Sequence, residues 1–264
     1  MHVEVEGVRY ERHPKGHGLV ASTAKVARSV YVASTARVSD YAEVSGRVYI
    51  ESGARVGGHA KIHGKGLKID RYAEIGAYAE VSGKCTIGRG VKIGGHAKVY
   101  DQARLSGAID VYGNARIYGN ARLFGGSRYQ LFTEMPVMDV CGNVEIFGTA
   151  QIYDAPHLHG NAKIYGCARI DEDAEVYGYA SVYDSAWIGQ NAKVYGTTEI
   201  YGRAKVSGHA EVYGIADVSG EAKVTDYAKV YEAARVTGYA QICGTARVGG
   251  HLRVSGHSII KGGS

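Results

Sequence analysis

Aliphatic residues recur at every sixth position through most of the chain. Counting back from Ile260, an aliphatic residue stands at each step to Val140. A second run with the same period extends from Ile69 to Leu123, and a third from Val20 to Ile62. One extra residue near Gly64 to Gly66 separates these two runs. The chain is therefore built from about 39 six-residue repeats.

Each repeat has the alternation typical of a short strand with one buried face. In the 20 repeats from Ile146 to Ile260, the residue two before the aliphatic position is Ala 15 times, and the residue two after it is Gly 14 times. A charged or aromatic residue usually lies between the Ala and the aliphatic residue, which gives a period of two. Gly suits the backbone of a sharp corner, and Asp154 is a tolerable substitute there. Glu172 and Gln190 fit this interpretation less well.

Side chains spaced 18 residues apart predict three repeats per turn. Glu175, Lys193, Glu211 and Lys229 alternate in sign at this spacing, and stacked strands would place them about 4.8 Å apart. Two aromatic rows share the spacing: Phe147, Tyr165, Tyr183 and Tyr201, and Tyr177, Tyr195, Tyr213 and Tyr231. At three repeats per turn, the chain predicts an all-β, three-sided parallel β-solenoid of about 13 turns.

The pattern divides the chain into four parts. Residues 1–19 precede the repeats, and we expect them to form a β cap because an uncapped turn exposes unpaired strand edges. Solenoid turns are expected over 20–124 and, with a short tail, over 140–264. Between them, residues 125–139 break the hexad pattern and are expected to form an inserted loop.

The segments VYGNARIYGNARLFG (111–125) and NAKVYGTTEIYGRAKVSGHAEVYG (191–214) resemble the hexapeptide-repeat, or isoleucine-patch, superfamily. The resemblance covers roughly residues 20–260. It implies a left-handed β-helix, commonly a homotrimer, whereas periodicity does not give the hand, since parallel crossovers are usually right-handed. The dense AxVYG style also resembles phage and prophage members that carry an acetyltransferase label.

Composition narrows the function classes less than the repeat does. There are 31 Lys and Arg and 26 Asp and Glu, so the formal net charge of +5 permits an acidic partner, including nucleic acid, without requiring one. The four cysteines form neither a CxxC pair nor a disulfide framework. No signal peptide and no apolar run of membrane-spanning length is visible, so we expect a cytoplasmic protein without a membrane partner.

The break at 125–139 is the first candidate site. Tyr129 and Phe132 lie within its apolar sequence, and the family resemblance implies that such loops line an acetyl-CoA and acceptor site between subunits. A loop buried in a subunit interface explains the same residues.

The segment DAPHLHG is the second candidate. His157 and His159 flank the inward Leu158, so both imidazoles are expected to point outward. By the family resemblance, one could act as general base, oriented by Asp154 or Asp139; two solvated surface histidines are the plainer interpretation. The family's acyltransferases also tend to have a C-terminal section that helps to bind the cofactor, whereas here the hexads run to Ile260.

The segment VGGHAKIHGKG (56–66) loosely resembles the zinc-binding segment of gamma-class carbonic anhydrases, with His59 and His63 as the matching positions. The two histidines are separated by three residues rather than the family's four, and no upstream histidine from the repeats completes a three-ligand site. We therefore predict no metal.

Cationic residues gather before the buried aliphatic positions near the end of the chain. They include Lys223, Lys229 and Arg235, followed by Arg247 and Arg253. Such a belt could bind phosphates or an acidic partner surface, or it could simply keep the strands soluble.

Two functions remain open from the sequence. The first is a non-catalytic, oligomeric β-solenoid that binds or sequesters an anionic ligand or partner, with no cofactor. The second is an acyl-CoA-dependent acyltransferase that uses acetyl-CoA.

Overall fold

The computed structural model describes residues 2–5, 7–126 and 137–263. These residues form a parallel β-solenoid of short strands, as the repeat predicts, and contain no helix. The chain divides into two compact units, Met1–Pro136 and Val137–Ser264. The described strands make six turns in the first unit and seven in the second.

The 18-residue period is confirmed by the register of the parallel strands. Glu175 pairs with Lys193, Lys193 with Glu211, and Glu211 with Lys229. Each turn therefore contributes one strand to each of three faces. The left hand remains a prediction of the family resemblance.

The first unit has three faces, which we call A, B and C. Face A comprises Leu19–Ala21, Arg37–Val38, Arg55–Val56, Glu74–Ile75, Val91–Ile93 and Ile109–Val111. Face B comprises Lys25–Val26, Glu80–Gly83, Lys98–Val99 and Arg116–Ile117. Face C comprises Tyr31–Val32, Thr86–Ile87, Arg104–Ser106 and Arg122–Gly125. The longer strands Glu43–Ile50 and Lys61–Ile69 each run from face B into face C.

The second unit has faces D, E and F. Face D comprises Met138–Val140, His157–Leu158, Glu175–Val176, Lys193–Val194, Glu211–Val212, Lys229–Val230 and Arg247–Val248. Face E comprises Glu145–Ile146, Lys163–Ile164, Ser181–Val182, Glu199–Ile200, Asp217–Val218, Arg235–Val236 and Arg253–Val254. Face F comprises Gln151–Asp154, Arg169–Ile170, Trp187–Ile188, Lys205–Val206, Lys223–Val224, Gln241–Cys243 and Ile259–Lys261.

An antiparallel hairpin precedes the first turn. Its strands, His2–Val5 and Val8–Arg12, pair with each other, and Val8–Arg12 also pairs with Leu19–Ala21. The first strand of face A is therefore paired on both edges. On the far side of the expected loop, the next strand already begins at Met138, whose side chain is fully buried.

The core is a column of aliphatic side chains lined by alanines. Ile152, Ile164 and Ile170, for example, are fully buried, as are Ala150 and Ala162 two residues before the first two of them. Burying an aliphatic side chain of this size contributes roughly 1.5–3 kcal/mol relative to leaving it exposed. A single turn would leave its strand edges and much of this surface exposed, so stability grows as turns stack.

The extra residue near Gly64 to Gly66 is confirmed as a bulge. Arg47 pairs with Lys65, but the next residue, Val48, pairs with Leu67. Gly66 is therefore skipped, and its φ of 107° lies in a region that favours glycine. The bulge restores the alignment of the buried positions after the insertion.

Several non-glycine corners accept a hydrogen bond from the turn that follows. Glu172 and Gln190, which fit the sequence interpretation poorly, do adopt positive φ angles of 58° and 59°. Gln190 Oε1 accepts a hydrogen bond of 2.6 Å from the backbone N–H of Gly208, one turn later. Asp40, Asp101, Asp184, Asp226 and Glu232 accept equivalent bonds. The acidic corners at these five positions therefore have a structural explanation.

Candidate functional site

His157 lies on face D between two acidic positions. It is in register with Asp139 on one side and Glu175 on the other. Its Nδ1 lies 3.4 Å from Asp139 Oδ2, and the two side chains are 48% and 36% exposed. Asp139 is therefore the carboxylate that contacts this imidazole. Asp154 lies at the corner that ends its strand on face F, with a φ of 62°.

His159 belongs to an aromatic column. Its ring stacks on Tyr177 with centroids 4.6 Å apart and planes 9° apart. Tyr177, Tyr195 and Tyr213 continue the column at about 5 Å intervals, as the sequence predicts. The column from Phe147 to Tyr201 on face E is confirmed in the same way.

Some tyrosine hydroxyls of these columns reach a carboxylate in the next turn of the chain. Tyr195 donates a hydrogen bond of 3.3 Å to Glu211 Oε2. Burial, with the nearby Glu211 carboxylate, raises the pKa of Tyr195 to about 12. These rings pack on one another and tie adjacent turns together, which explains them without a ligand.

The three predicted cations of the second unit lie on three different faces. Lys223 is on face F, Lys229 on face D and Arg235 on face E. The Nζ atom of Lys229 lies 2.8 Å from Glu211 Oε1, so its charge already has a partner. These residues encircle the solenoid and do not form one surface.

The remaining sequence candidates are two residues of the expected loop and two histidines of the first unit. Tyr129 and Phe132 lie outside the described residues. His59 is stacked between Tyr41 and Tyr78, and His63 Nδ1 lies 2.9 Å from Ser45 Oγ. Over the described ranges, no group of three or more His, Cys, Asp or Glu side chains is placed to hold a metal ion.

The single tryptophan of the chain is held on face F by a buried carboxylate. The indole Nε1 of Trp187 donates a 2.8 Å hydrogen bond to Asp171 Oδ1, while Arg169 Nε lies 2.7 Å from Asp171 Oδ2. Asp171 is only 4% exposed, and these two donors compensate its burial. Lys205 Nζ lies 6.0 Å from the indole centroid.

The strongest charge feature is on face C of the first unit, where the sequence interpretation named no site. Its outward side chains stand in register, one per turn: Tyr31, Tyr49, Lys68, Thr86, Arg104 and Arg122. Arg47, Lys65 and Lys84 occupy the corner that leads from face B to face C in three successive turns. All six cations of this group are exposed.

The cations of face C lack the compensation that the other faces of the first unit show. On face B, Lys25 pairs with Glu43 and Lys98 with Glu80, both at 2.9 Å. On face A, Arg55 lies 4.0 Å from Glu74. By contrast, none of the six cations of face C and its corner makes an ion pair within the part of the chain that the structure describes. Arg104 and Arg122 even oppose each other directly.

Two carboxylates share this face without neutralising it. Asp70 Oδ1 accepts a hydrogen bond of 2.8 Å from the backbone N–H of Arg71. Glu51 directly follows Ile50, where the strand Glu43–Ile50 ends. The excess of positive charge in the first unit is also visible in the sequence, as a difference between the two halves of the chain. Residues 1–136 carry 20 Lys and Arg against 12 Asp and Glu, whereas residues 137–264 carry 11 against 14.

A groove of about 880 Å³ runs beside the N-terminal hairpin on face A. Its lining includes Val5, Val8 and Tyr10 of the hairpin, with cations and carboxylates of face A in similar number. Arg37 lies over the Tyr10 ring, 5.3 Å from its centroid, so this cation is also engaged. The groove therefore has no charge preference comparable to that of face C.

None of the described residues belongs to a helix that is long and apolar enough to cross a membrane.

The fold and faces together define a parallel β-solenoid. No protein-family model and no curated protein matches the chain. Among solved structures, it is similar to the UDP-N-acetylglucosamine O-acyltransferase of Moraxella catarrhalis RH4, with 16% identity over 64% of this chain and 66% of that one, and a TM-score of 0.28. A UDP-N-acetylglucosamine acyltransferase of Francisella novicida shares 15% identity over 80% of this chain and 65% of that one, with a TM-score of 0.25.

The chain thus spans just under two thirds of the length of each of these acyltransferases. Both TM-scores are below 0.5, so neither enzyme bears on the activity of this protein.

Proposed function

We propose that the protein is a non-catalytic, homo-oligomeric β-solenoid that binds an anionic partner through face C. The observation that carries the proposal is the group of six exposed cations without a carboxylate partner among the described residues. Opposed like charges destabilise a sheet, as between Arg104 and Arg122. An anionic partner would relieve this repulsion, which gives the arrangement a function.

The proposal is tested with heparin as a polyanion of defined charge. Binding is measured at low and at physiological salt, because contacts between cations and a polyanion weaken as salt rises. Arg104→Glu should weaken binding by about tenfold, since it replaces one of the six cations with an anion. The matched control is Lys98→Glu on face B, which makes the same change in net charge and should alter binding by less than about twofold.

Equal losses from Arg104→Glu and Lys98→Glu would show that net charge alone matters and would remove face C from the proposal. No binding by the wild-type protein at low salt would reject the function itself. The oligomer is tested separately by sedimentation equilibrium, for which the family resemblance implies a trimer.

A second candidate function is acyl transfer, favoured by the contact between His157 and Asp139. A carboxylate beside Nδ1 can orient an imidazole so that Nε2 accepts a proton from an acceptor hydroxyl or amine. Acetyl-CoA would be the donor under the family resemblance. Calorimetry with acetyl-CoA tests the candidate: saturable binding that is kept in His157→Ala, with acetyl transfer lost, would support it, and no binding would reject it.

A further inference from the structure

Two tyrosines of face C, Tyr31 and Tyr49, differ from the stacked tyrosine columns. Tyr31 and Tyr49 oppose each other in adjacent turns, yet their ring centroids are 6.5 Å apart and their planes are tilted by 42°. In the columns, rings lie about 5 Å apart and nearly parallel, as for Tyr100 and Tyr118 at 4.8 Å and 4°. Tyr31 and Tyr49 therefore do not cover each other's faces, and each is 38% exposed.

These two rings lead directly into the cations. Tyr49 is in register with Lys68, and Lys68 with Thr86, which is followed by Arg104 and Arg122. One turn advances about 4.8 Å, so the row from Tyr31 to Arg122 is about 24 Å long. Along one edge of the row lie the corner cations Arg47, Lys65 and Lys84. Partly exposed, unstacked tyrosine rings and positive charge thus share one row of face C.

We propose that face C binds single-stranded nucleic acid, an inference that rests on the proposed function and names its partner. Unpaired bases stack on Tyr31 and Tyr49, while phosphates contact Lys68, Arg104 and Arg122. Aromatic rings combined with a cationic track suit this ligand, because every base has a face that can stack and every nucleotide carries a negative charge. A duplex keeps its base faces inside, so it could use the cations but not the tyrosines.

The experiment compares ligands that share charge but differ in bases. A fluorescein-labelled oligodeoxythymidine of about 15 nucleotides is titrated by fluorescence anisotropy, and heparin, polyglutamate and a duplex of equal length are used as competitors. We expect the logarithm of the binding constant to fall with the logarithm of salt concentration with a slope of about −2, since three phosphate contacts contribute about −0.7 each.

The double variant Tyr31→Ala/Tyr49→Ala separates stacking from charge. It should weaken oligodeoxythymidine binding by at least about tenfold and leave heparin binding within about twofold. The matched control is Tyr100→Ala/Tyr118→Ala, which removes two stacked tyrosines that directly follow strands of face B in the same unit and should leave oligonucleotide binding within about twofold. Circular dichroism on both variants verifies that each keeps its strands.

The outcomes distinguish this inference from the proposed function. If heparin or polyglutamate competes as well as unlabelled oligodeoxythymidine, and the tyrosine variant binds normally, the nucleic-acid inference fails while anion binding stands. A duplex that binds more tightly than the single strand would also overturn it. If neither the oligonucleotide nor heparin binds, both proposals fail.

Discussion

Replacing Arg104 by glutamate should make the protein more stable while it weakens anion binding. Arg104 directly opposes Arg122, one turn away on face C, and its other neighbour in register is the uncharged Thr86. The variant turns a repulsion into an attraction. Two unit charges about 6 Å apart in water interact by about 0.7 kcal/mol, and opposite-charge pairs across a sheet stabilise it by about 0.2–1 kcal/mol. Loss of the Arg104–Arg122 repulsion and gain of an attraction between the introduced glutamate and Arg122 should together raise the free energy of unfolding by about 1 kcal/mol at low salt.

The measurement is urea unfolding followed by far-ultraviolet circular dichroism, at low salt and again at about 1 M salt, where the charge effect should be largely screened. Lys61→Glu provides a control of opposite sign. Lys61 stands between Glu43 and Glu80 in register, so its replacement stacks three carboxylates and should lower the unfolding midpoint. A midpoint that falls in Arg104→Glu, or a rise that persists unchanged at high salt, would refute the electrostatic reasoning.

Three further predictions concern other parts of the solenoid. Gly189→Ala should displace the Trp187 indole, because a methyl group there would lie 2.6 Å from its Cζ2 atom. The loss of the indole hydrogen bond to the buried Asp171 carboxylate should lower the free energy of unfolding by about 1.5–3 kcal/mol. A red shift of the tryptophan fluorescence would report the displacement. An unshifted spectrum would contradict this. Cys85 is buried and its pKa is raised to about 12, so iodoacetamide should label exposed Cys167 but not Cys85 in the native protein, as peptide mass spectrometry can verify. Burial raises the pKa of Asp217, so its contribution to stability is present at low pH and is lost as pH rises through the folded-state pKa. Asp217→Asn should therefore flatten this part of the profile of unfolding midpoint against pH. An unchanged profile would reject the assignment.

The inward-facing residues of the solenoid could be predicted from the local sequence pattern, because that pattern repeats along the chain. A six-residue period with alternating Ala and aliphatic positions leaves one arrangement in which every aliphatic residue is inside. The same reasoning placed the insertion near Gly66 and paired Glu175 with Lys193, both of which the register confirms. The corners of Glu172 and Gln190 were harder to predict, because the N–H group that helps to stabilise Gln190 belongs to the next turn.

The candidate site was less predictable because side chains that are near in sequence are separated by the fold. Lys223 and Lys229 follow one another in the pattern but occupy faces F and D. Arg104 and Arg122 are 18 residues apart and meet on face C. Grouping the cations by the 18-residue spacing would have drawn attention to face C from the sequence.

The sequence by itself determined the solenoid, its number of turns and the pairing of its stacked rows, because these follow from a strict period. Only the tertiary structure decided which charges have partners and which aromatic rings stack on one another. Lys98 finds a carboxylate 2.9 Å away, whereas Arg104 faces another arginine. Likewise, Tyr100 and Tyr118 stack while Tyr31 and Tyr49 tilt apart. These differences depend on side-chain conformations and on neighbours one turn away, which a local pattern does not contain.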